Sequence, residues 1–159
     1  MHKDTLVACA MEQERTLYRV AKTMLRSDAD CADAVQETLL KAIHGAPWVR
    51  NEQYAKTWLT RILINTCTDM LRKRKRTETL ELNEFIPAPD KSEQRELYMA
   101  IQELDEALRL PLVLHYLEGF AIKDIAHMLR VPEGTVKRRL WTARKELRAL
   151  LSEEAIVNG

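Results

Sequence analysis

Apolar residues recur along this chain at spacings of three and four, and little interrupts them: its 159 residues include four glycines and five prolines. Such spacings put apolar side chains on one face of a helix, and Gly and Pro are the residues that most often end one. The pattern predicts an all-α chain with long helices and few turns. At 46% hydrophobic residues, it can bury a core.

A first helix is expected over 5–26, with Leu17, Val20, Ala21 and Met24 inward. Ser27-Asp28-Ala29-Asp30 is a polar break whose Asp side chains can accept hydrogen bonds from free helix-start amides. A second helix is expected over 30–44, with Val35, Leu39, Ala42 and Ile43 inward and Asp30, Asp33 and Glu37 towards its start, where the dipole favours acids. Gly45-Ala46-Pro47 ends it, and a short loop to Asn51 carries Trp48 and Arg50. A third helix over 52–74 has an apolar stripe of Leu59, Ile62, Leu63, Thr66 and Met70, and a polar stripe of Arg61, Asn65, Asp69 and Arg72. From 77 to 92 the periodicity fails around Pro87 and Pro89, which reads as a flexible linker. The expected division is a domain over 1–76, a linker over 77–92 and a second domain over 93–155. In the second domain Leu97, Ile101, Leu104 and Leu108 predict one helix. Leu110 to Leu117 predict another, starting at Pro111, and Glu118-Gly119-Phe120 a turn.

Net charge is +1, yet charge is unevenly spread. Residues 72–76 read Arg-Lys-Arg-Lys-Arg; 77–106 carry nine acids against Lys91 and Arg95; 137–148 are basic again. Two basic patches around an acidic middle suit two polyanion-binding surfaces.

The last basic patch lies in a patterned segment. Ile122, Ile125, Ala126 and Leu129 form a short one-sided helix, and Arg130-Val131-Pro132-Glu133-Gly134 a tight connector. Thr135 is expected to cap a following helix whose seam is Val136, Leu140, Ala143 and Leu147. This is a helix-turn-helix pattern. The outer face of its second helix carries Lys137, Arg138, Arg139, Trp141, Thr142 and Arg144, suited to phosphates and guanine edges in a major groove. The same residues could instead form a helical hairpin with a solvated basic face.

Here the chain resembles a known family. Tyr116 to Leu151, with Glu133-Gly134-Thr135-Val136-Lys137 and Ala143-Arg144, is similar to region 4 of sigma-70-type factors, especially the extracytoplasmic-function (ECF) group. Asp33-Ala34-Val35-Gln36-Glu37-Thr38, and Thr57-Trp58-Leu59-Thr60-Arg61-Ile62 with Asn65, Asp69 and Arg72, resemble region 2. Arg130 stands where such factors usually have Gly. The resemblance implies a region 2 bundle of three to four helices and a region 4 helix-turn-helix domain. It implies that Asp33, Gln36 and Glu37 dock on the clamp of the largest subunit of RNA polymerase core, where solvation and dipole balance are the plainer account of these residues. It assigns Trp48, Arg50, Arg61, Asn65, Asp69 and Arg72 to the promoter −10 element, and Thr135, Lys137, Arg138, Arg139, Trp141, Thr142 and Arg144 to the −35 element. Helix-stabilising pairs such as Asp69 with Lys73 are the alternative use of the first set, and core packing the favoured one for Trp58. Further implied partners are the polymerase flap and an anti-sigma factor.

No phosphate-binding Gly loop, paired His or nucleophile motif is present, so neither catalysis nor a cofactor is expected. Cys9, Cys31 and Cys67 form no CxxC pair and have no ligand spacing with the histidines, so no metal is expected and reduced, partly buried thiols are. No apolar run is long enough to span a membrane and no signal pattern opens the chain, which suggests a cytoplasmic protein. The rival reading is a stand-alone helix-turn-helix regulator, against which the clamp-docking helix argues. A purely protein-binding adaptor would leave both basic patches without a role.

Overall fold

The computed structural model describes residues 2–45, 52–77 and 92–158, with side chains for 2–45, 53–74 and 95–152. All regular structure among these residues is helical. The chain divides into two compact units, Met1–Glu84 and Phe85–Gly159.

The first unit contains α1 (Lys3–Glu12), α2 (Glu14–Leu25), α3 (Asp28–Gly45) and α4 (Glu52–Thr77). The single helix expected over 5–26 is therefore two, meeting at Gln13 (φ −91°, ψ 0°). Hydrogen bonding runs through the bend: Gln13 N–H donates to the Cys9 carbonyl at 3.0 Å, and the Gln13 carbonyl accepts from Leu17 N–H at 2.9 Å. Leu6 and Ala10 of α1 and Leu17 of α2 are all buried at a spacing that a straight helix also satisfies, so periodicity carries no sign of the bend.

α3 starts at Asp28, two residues earlier than expected, and its start is capped by Ser27, not by an Asp side chain. Ser27 Oγ accepts from Asp30 N–H at 3.3 Å. Inside the bundle, Val35 and Ala42 are buried as expected, while Leu39 and Ile43 are half-buried. Thr38, Thr60 and Thr66 are buried beside them, each hydroxyl donating to the carbonyl four residues back at 2.7, 2.8 and 2.9 Å. That bond lets a polar side chain enter a core at little cost. On α4, Leu59 and Leu63 are buried and Ile62 and Met70 half-buried. The Trp58 ring packs on Gly45, where a Cβ would lie 2.8 Å from Trp58 Cζ2. Trp58 is thus a packing residue. Cys31 and Cys67 are fully buried free thiols, and burial pushes them up to about 11 and about 12. Both remain protonated at neutral pH, which suits inert structural cysteines.

The second unit contains α5 (Ser92–Glu103), α6 (Glu106–Leu112) continued by a π-helical turn over Val113–Leu117, then α7 (Ile122–Leu129) and α8 (Glu133–Asn158). The helix expected to run from Leu97 through Leu108 breaks at Asp105 (φ −56°, ψ 146°), and Leu108 belongs to α6. Arg109, only 4% exposed, holds the break: its guanidinium donates to the carbonyls of Gln102 at 3.1 Å and Leu104 at 3.4 Å. Ile101 and Leu104 still reach one core with Leu112, Val113 and Ala143, while Leu97 is exposed. Pro111 lies inside α6, not at its start. It lacks the N–H that would continue the ladder. Within a few residues the hydrogen bonding lengthens, and Glu118 N–H reaches the Val113 carbonyl at 3.0 Å.

α7 and α8 form the expected helix-turn-helix, with Val136, Leu140 and Ala143 buried along the seam. The connector is shorter than expected, because Glu133 and Gly134 are already helical. Thr135 does not cap α8: the Pro132 carbonyl accepts from Thr135 N–H at 3.0 Å and Val136 N–H at 3.3 Å, so Thr135 sits within the first turn. Proline's fixed φ and missing donor suit a helix start. Arg130 ends α7 in the left-handed region (φ 58°, ψ 44°), and Val131 N–H returns to the Ala126 carbonyl at 3.1 Å. A non-Gly residue there costs roughly 1–2 kcal/mol, of which glycine's greater unfolded freedom returns roughly 0.5–1. Arg130→Gly is therefore expected to stabilise the second unit by about 0.5–1 kcal/mol in chemical denaturation. A loss of stability would contradict this backbone assignment.

Candidate nucleic-acid and polymerase surfaces

α3 has two faces of different character. Ala34, Val35, Thr38 and Ala42 are buried, whereas Asp33, Gln36 and Glu37 are exposed and share the outer face. Glu37 pairs with Lys41 at 3.3 Å, and Lys41 also donates to Thr66 Oγ1 at 3.0 Å. The same outer row continues with Leu40, which is 56% exposed. Sequence reasoning missed Leu40; an apolar residue four positions beyond Gln36 and three beyond Glu37 was the available signal.

Other charges near this face serve the fold. Asp28 accepts from the Tyr18 hydroxyl at 2.9 Å and pairs with Lys22 at 2.7 Å. These bonds, Lys22 first, hold its carboxyl below the usual range. Asp30 pairs with Arg74, tying the start of α3 to the last turns of α4. One member of the basic run 72–76 is thereby engaged within the unit.

Along α4, Arg61 and Asn65 are half-buried, and Asp69 and Arg72 exposed. Asp69 pairs with Arg72 at 3.9 Å, a helix-stabilising pair of the kind the sequence offered as the alternative. Trp48 and Arg50 lie outside the described residues.

The basic side chains of α8 do not form one face. At about 100° per residue, Lys137, Trp141 and Arg144 form one row and Arg138, Thr142 and Lys145 the next. Lys137, Arg138, Trp141 and Arg144 are exposed, Trp141 by 57%. Arg139 and Thr135 lie on the opposite flank and are half-buried. Thr142 is also half-buried, its hydroxyl donating to the Arg138 carbonyl at 3.0 Å. Two described cations of α8 rest on rings: Lys145 Nζ lies 5.2 Å from the Trp141 centroid, and Arg144 Cζ 6.0 Å from that of Tyr116. Tyr116 is another surface residue that the sequence reading passed over.

Among the described residues no cluster of His, Cys, Asp and Glu is placed to hold a metal, and no helix is long and apolar enough to cross a membrane.

Comparison with known proteins matches the same two segments. The Sigma-70 region 2 model matches residues 10–77 and the Sigma-70, region 4 model residues 94–147. The ECF RNA polymerase sigma factor SigM of Mycobacterium tuberculosis is 38% identical over 143 residues, covering 86% of this chain and 72% of SigM. The chain belongs to the ECF sigma factors of the sigma-70 family. The RNA polymerase sigma factor SigV of Bacillus subtilis is 31% identical to this sigma factor, over 96% of this chain and 94% of SigV. The sigma factor RpoE of Bartonella quintana, solved in complex with the anti-sigma factor NepR, superposes with a TM-score of 0.77 at 27% identity, over 94% of this chain and 96% of RpoE. CnrH, solved with the cytosolic domain of CnrY, shares the fold with a TM-score of 0.66, over 95% of this chain and 97% of CnrH. As a sigma factor, this chain works with RNA polymerase and promoter DNA in transcription initiation.

Proposed function

We propose that the two units divide promoter recognition, with 1–76 acting as region 2, 93–155 as region 4 and 77–92 as the segment that connects them. The observation that carries this is the exposed row of Lys137, Trp141 and Arg144, with Arg138 beside it, on the second helix of a helix-turn-helix pair. One helix fits a major groove, guanidinium and ammonium groups neutralise phosphates, and guanidinium reads guanine edges. This helix takes the −35 duplex, with Thr135, Arg139 and Thr142 at its edge. Arg61, Asn65, Asp69 and Arg72 of α4, with Trp48 and Arg50 of the preceding segment, take the opened −10 element: Arg on phosphates, Asn on base edges.

Asp33, Gln36 and Glu37 dock on the polymerase clamp, with Leu40 supplying an apolar contact among them, and the region 4 unit meets the flap. Acids beside an amide suit a basic partner surface. An anti-sigma factor is a further partner, as for the Bartonella quintana factor. The protein acts in the cytoplasm by binding, without catalysis or a cofactor of its own. Runoff transcription with purified core polymerase tests this. The expected result is a discrete promoter-dependent transcript only when the chain is added. A chain that alters transcription by complete holoenzyme, yet gives none with core, would be a stand-alone regulator.

A further inference from the structure

We propose that Tyr116 is a positioning residue for DNA binding, its ring holding the Arg144 guanidinium ready on the groove-facing flank of α8. The proposal rests on reading α8 as the duplex-binding helix. Tyr116 comes from the π-helical turn before α7, so its contact with Arg144 joins two elements, unlike that of Trp141 with Lys145 one turn along the same helix. The ring is 48% exposed, so burial is not what it mainly provides.

Its support is rigid. His115 Nδ1 lies 2.8 Å from the Phe120 carbonyl, and since a carbonyl only accepts, Nδ1 donates. The His115 ring stands edge-on to Tyr116, with centroids 4.8 Å apart and planes at 75°. Beneath it, Glu118 N–H bonds the Val113 carbonyl at 3.0 Å and Phe120 N–H the Leu114 carbonyl at 2.9 Å. Gly119, at φ +76°, closes the turn in the left-handed region. The turn that carries the ring is therefore held by its own backbone bonds, with the His115 edge beside the ring. A cation within about 6 Å of an aromatic centroid is attracted by the ring quadrupole. A long arginine so held loses less freedom when it meets a phosphate, which is preorganisation. Tyr116, Trp141, Lys137 and Arg144 then form one aromatic and basic surface.

The test is binding of the holoenzyme to −35-containing duplex over a salt series, with Tyr116→Phe, Tyr116→Leu, Tyr116→Ala, Arg144→Ala, Arg138→Ala and the Tyr116→Leu/Arg144→Ala double variant. Arg144→Ala is expected to weaken binding and lower the salt slope by about one. Tyr116→Ala and Tyr116→Leu are expected to weaken it about two- to fivefold, and Tyr116→Phe to match the parent. The double variant should bind no more weakly than Arg144→Ala alone, because the ring acts through that arginine. Tyr116→Leu keeps apolar bulk, so it reports on the ring even where Tyr116→Ala fails to fold. Additive losses, a Tyr116→Phe defect, or full binding by Tyr116→Leu would overturn the proposal. Arg144→Ala without effect while Arg138→Ala weakens binding would overturn it and leave α8 as the DNA helix. No effect from either arginine variant would remove the reading of α8 itself.

Discussion

Asp33→Lys combined with Glu37→Lys is expected to lose binding to core polymerase by at least about 100-fold while the protein stays folded. The packing face of α3 consists of Ala34, Val35, Thr38 and Ala42, which the double variant leaves alone. Both altered residues are exposed. Glu37 gives up a surface pair with Lys41, and such pairs contribute roughly 0.3–0.5 kcal/mol. Asp33 lies beyond the first turn of α3, where the helix dipole has little effect. The fold thus loses less than about 1 kcal/mol. Against a basic clamp surface, two reversed charges turn attraction into repulsion of several kcal/mol. Circular dichroism alongside a core-binding titration checks both halves. Unchanged core affinity in a folded double variant would take the clamp contact away from α3.

Arg109→Leu is expected to destabilise the second unit by about 2–4 kcal/mol and to leave the first unit intact. Arg109 is buried, and it supplies donors to the Gln102 and Leu104 carbonyls where α5 ends. Leucine fills part of the volume and leaves those carbonyls without these donors, so the break at Asp105 keeps only its backbone bonds. Lysine is expected to restore only part of the stability, because a compact, strongly hydrated ammonium costs more to bury than a guanidinium. Trp141 is the sole tryptophan of 85–159, while Trp48 and Trp58 lie in the other unit, so fluorescence can follow the two units. The Trp141 transition should move to lower denaturant, and far-ultraviolet dichroism should show a second, unshifted transition. A single parental transition would show that Arg109 holds nothing together.

The parts of the fold legible in the sequence are those where periodicity and packing are the same thing. Val136, Leu140 and Ala143 are buried together because a spacing of four and three places them on one side of a helix, and Leu59 and Leu63 are buried for the same reason. Periodicity is blind to features made by hydrogen bonds. It carried the apolar stripe straight through Asp105, because Ile101 and Leu104 do reach the same core as α6, and the turn between them depends on an arginine that reads as a surface residue. It passed over Thr38 and Thr60, whose hydroxyls are satisfied by their own helix. It placed the α8 cap on Thr135, where the Pro132 carbonyl already serves the first amides.

The candidate surfaces were legible as residue types but not as directions. Six side chains on α8 read as one outer face, yet Arg139 sits on the flank opposite Lys137 and Arg144. Arg74 looked like part of a free basic run and is paired with Asp30. Leu40 and Tyr116 were overlooked because an apolar residue in a helix is ordinarily assigned to the core.

The division of promoter recognition between the units is tested most directly by one pair of variants on one pair of templates. Transcription by holoenzyme carrying Arg138→Ala or Asn65→Ala is measured on an intact promoter and on a pre-melted −10 template without a −35 element. Arg138→Ala should impair the intact promoter, with a base contact costing roughly 1–3 kcal/mol, and leave the pre-melted template nearly unaffected. Asn65→Ala should impair the pre-melted template. Equal losses on both templates for both variants would contradict the division, and would assign these residues to folding or core binding instead.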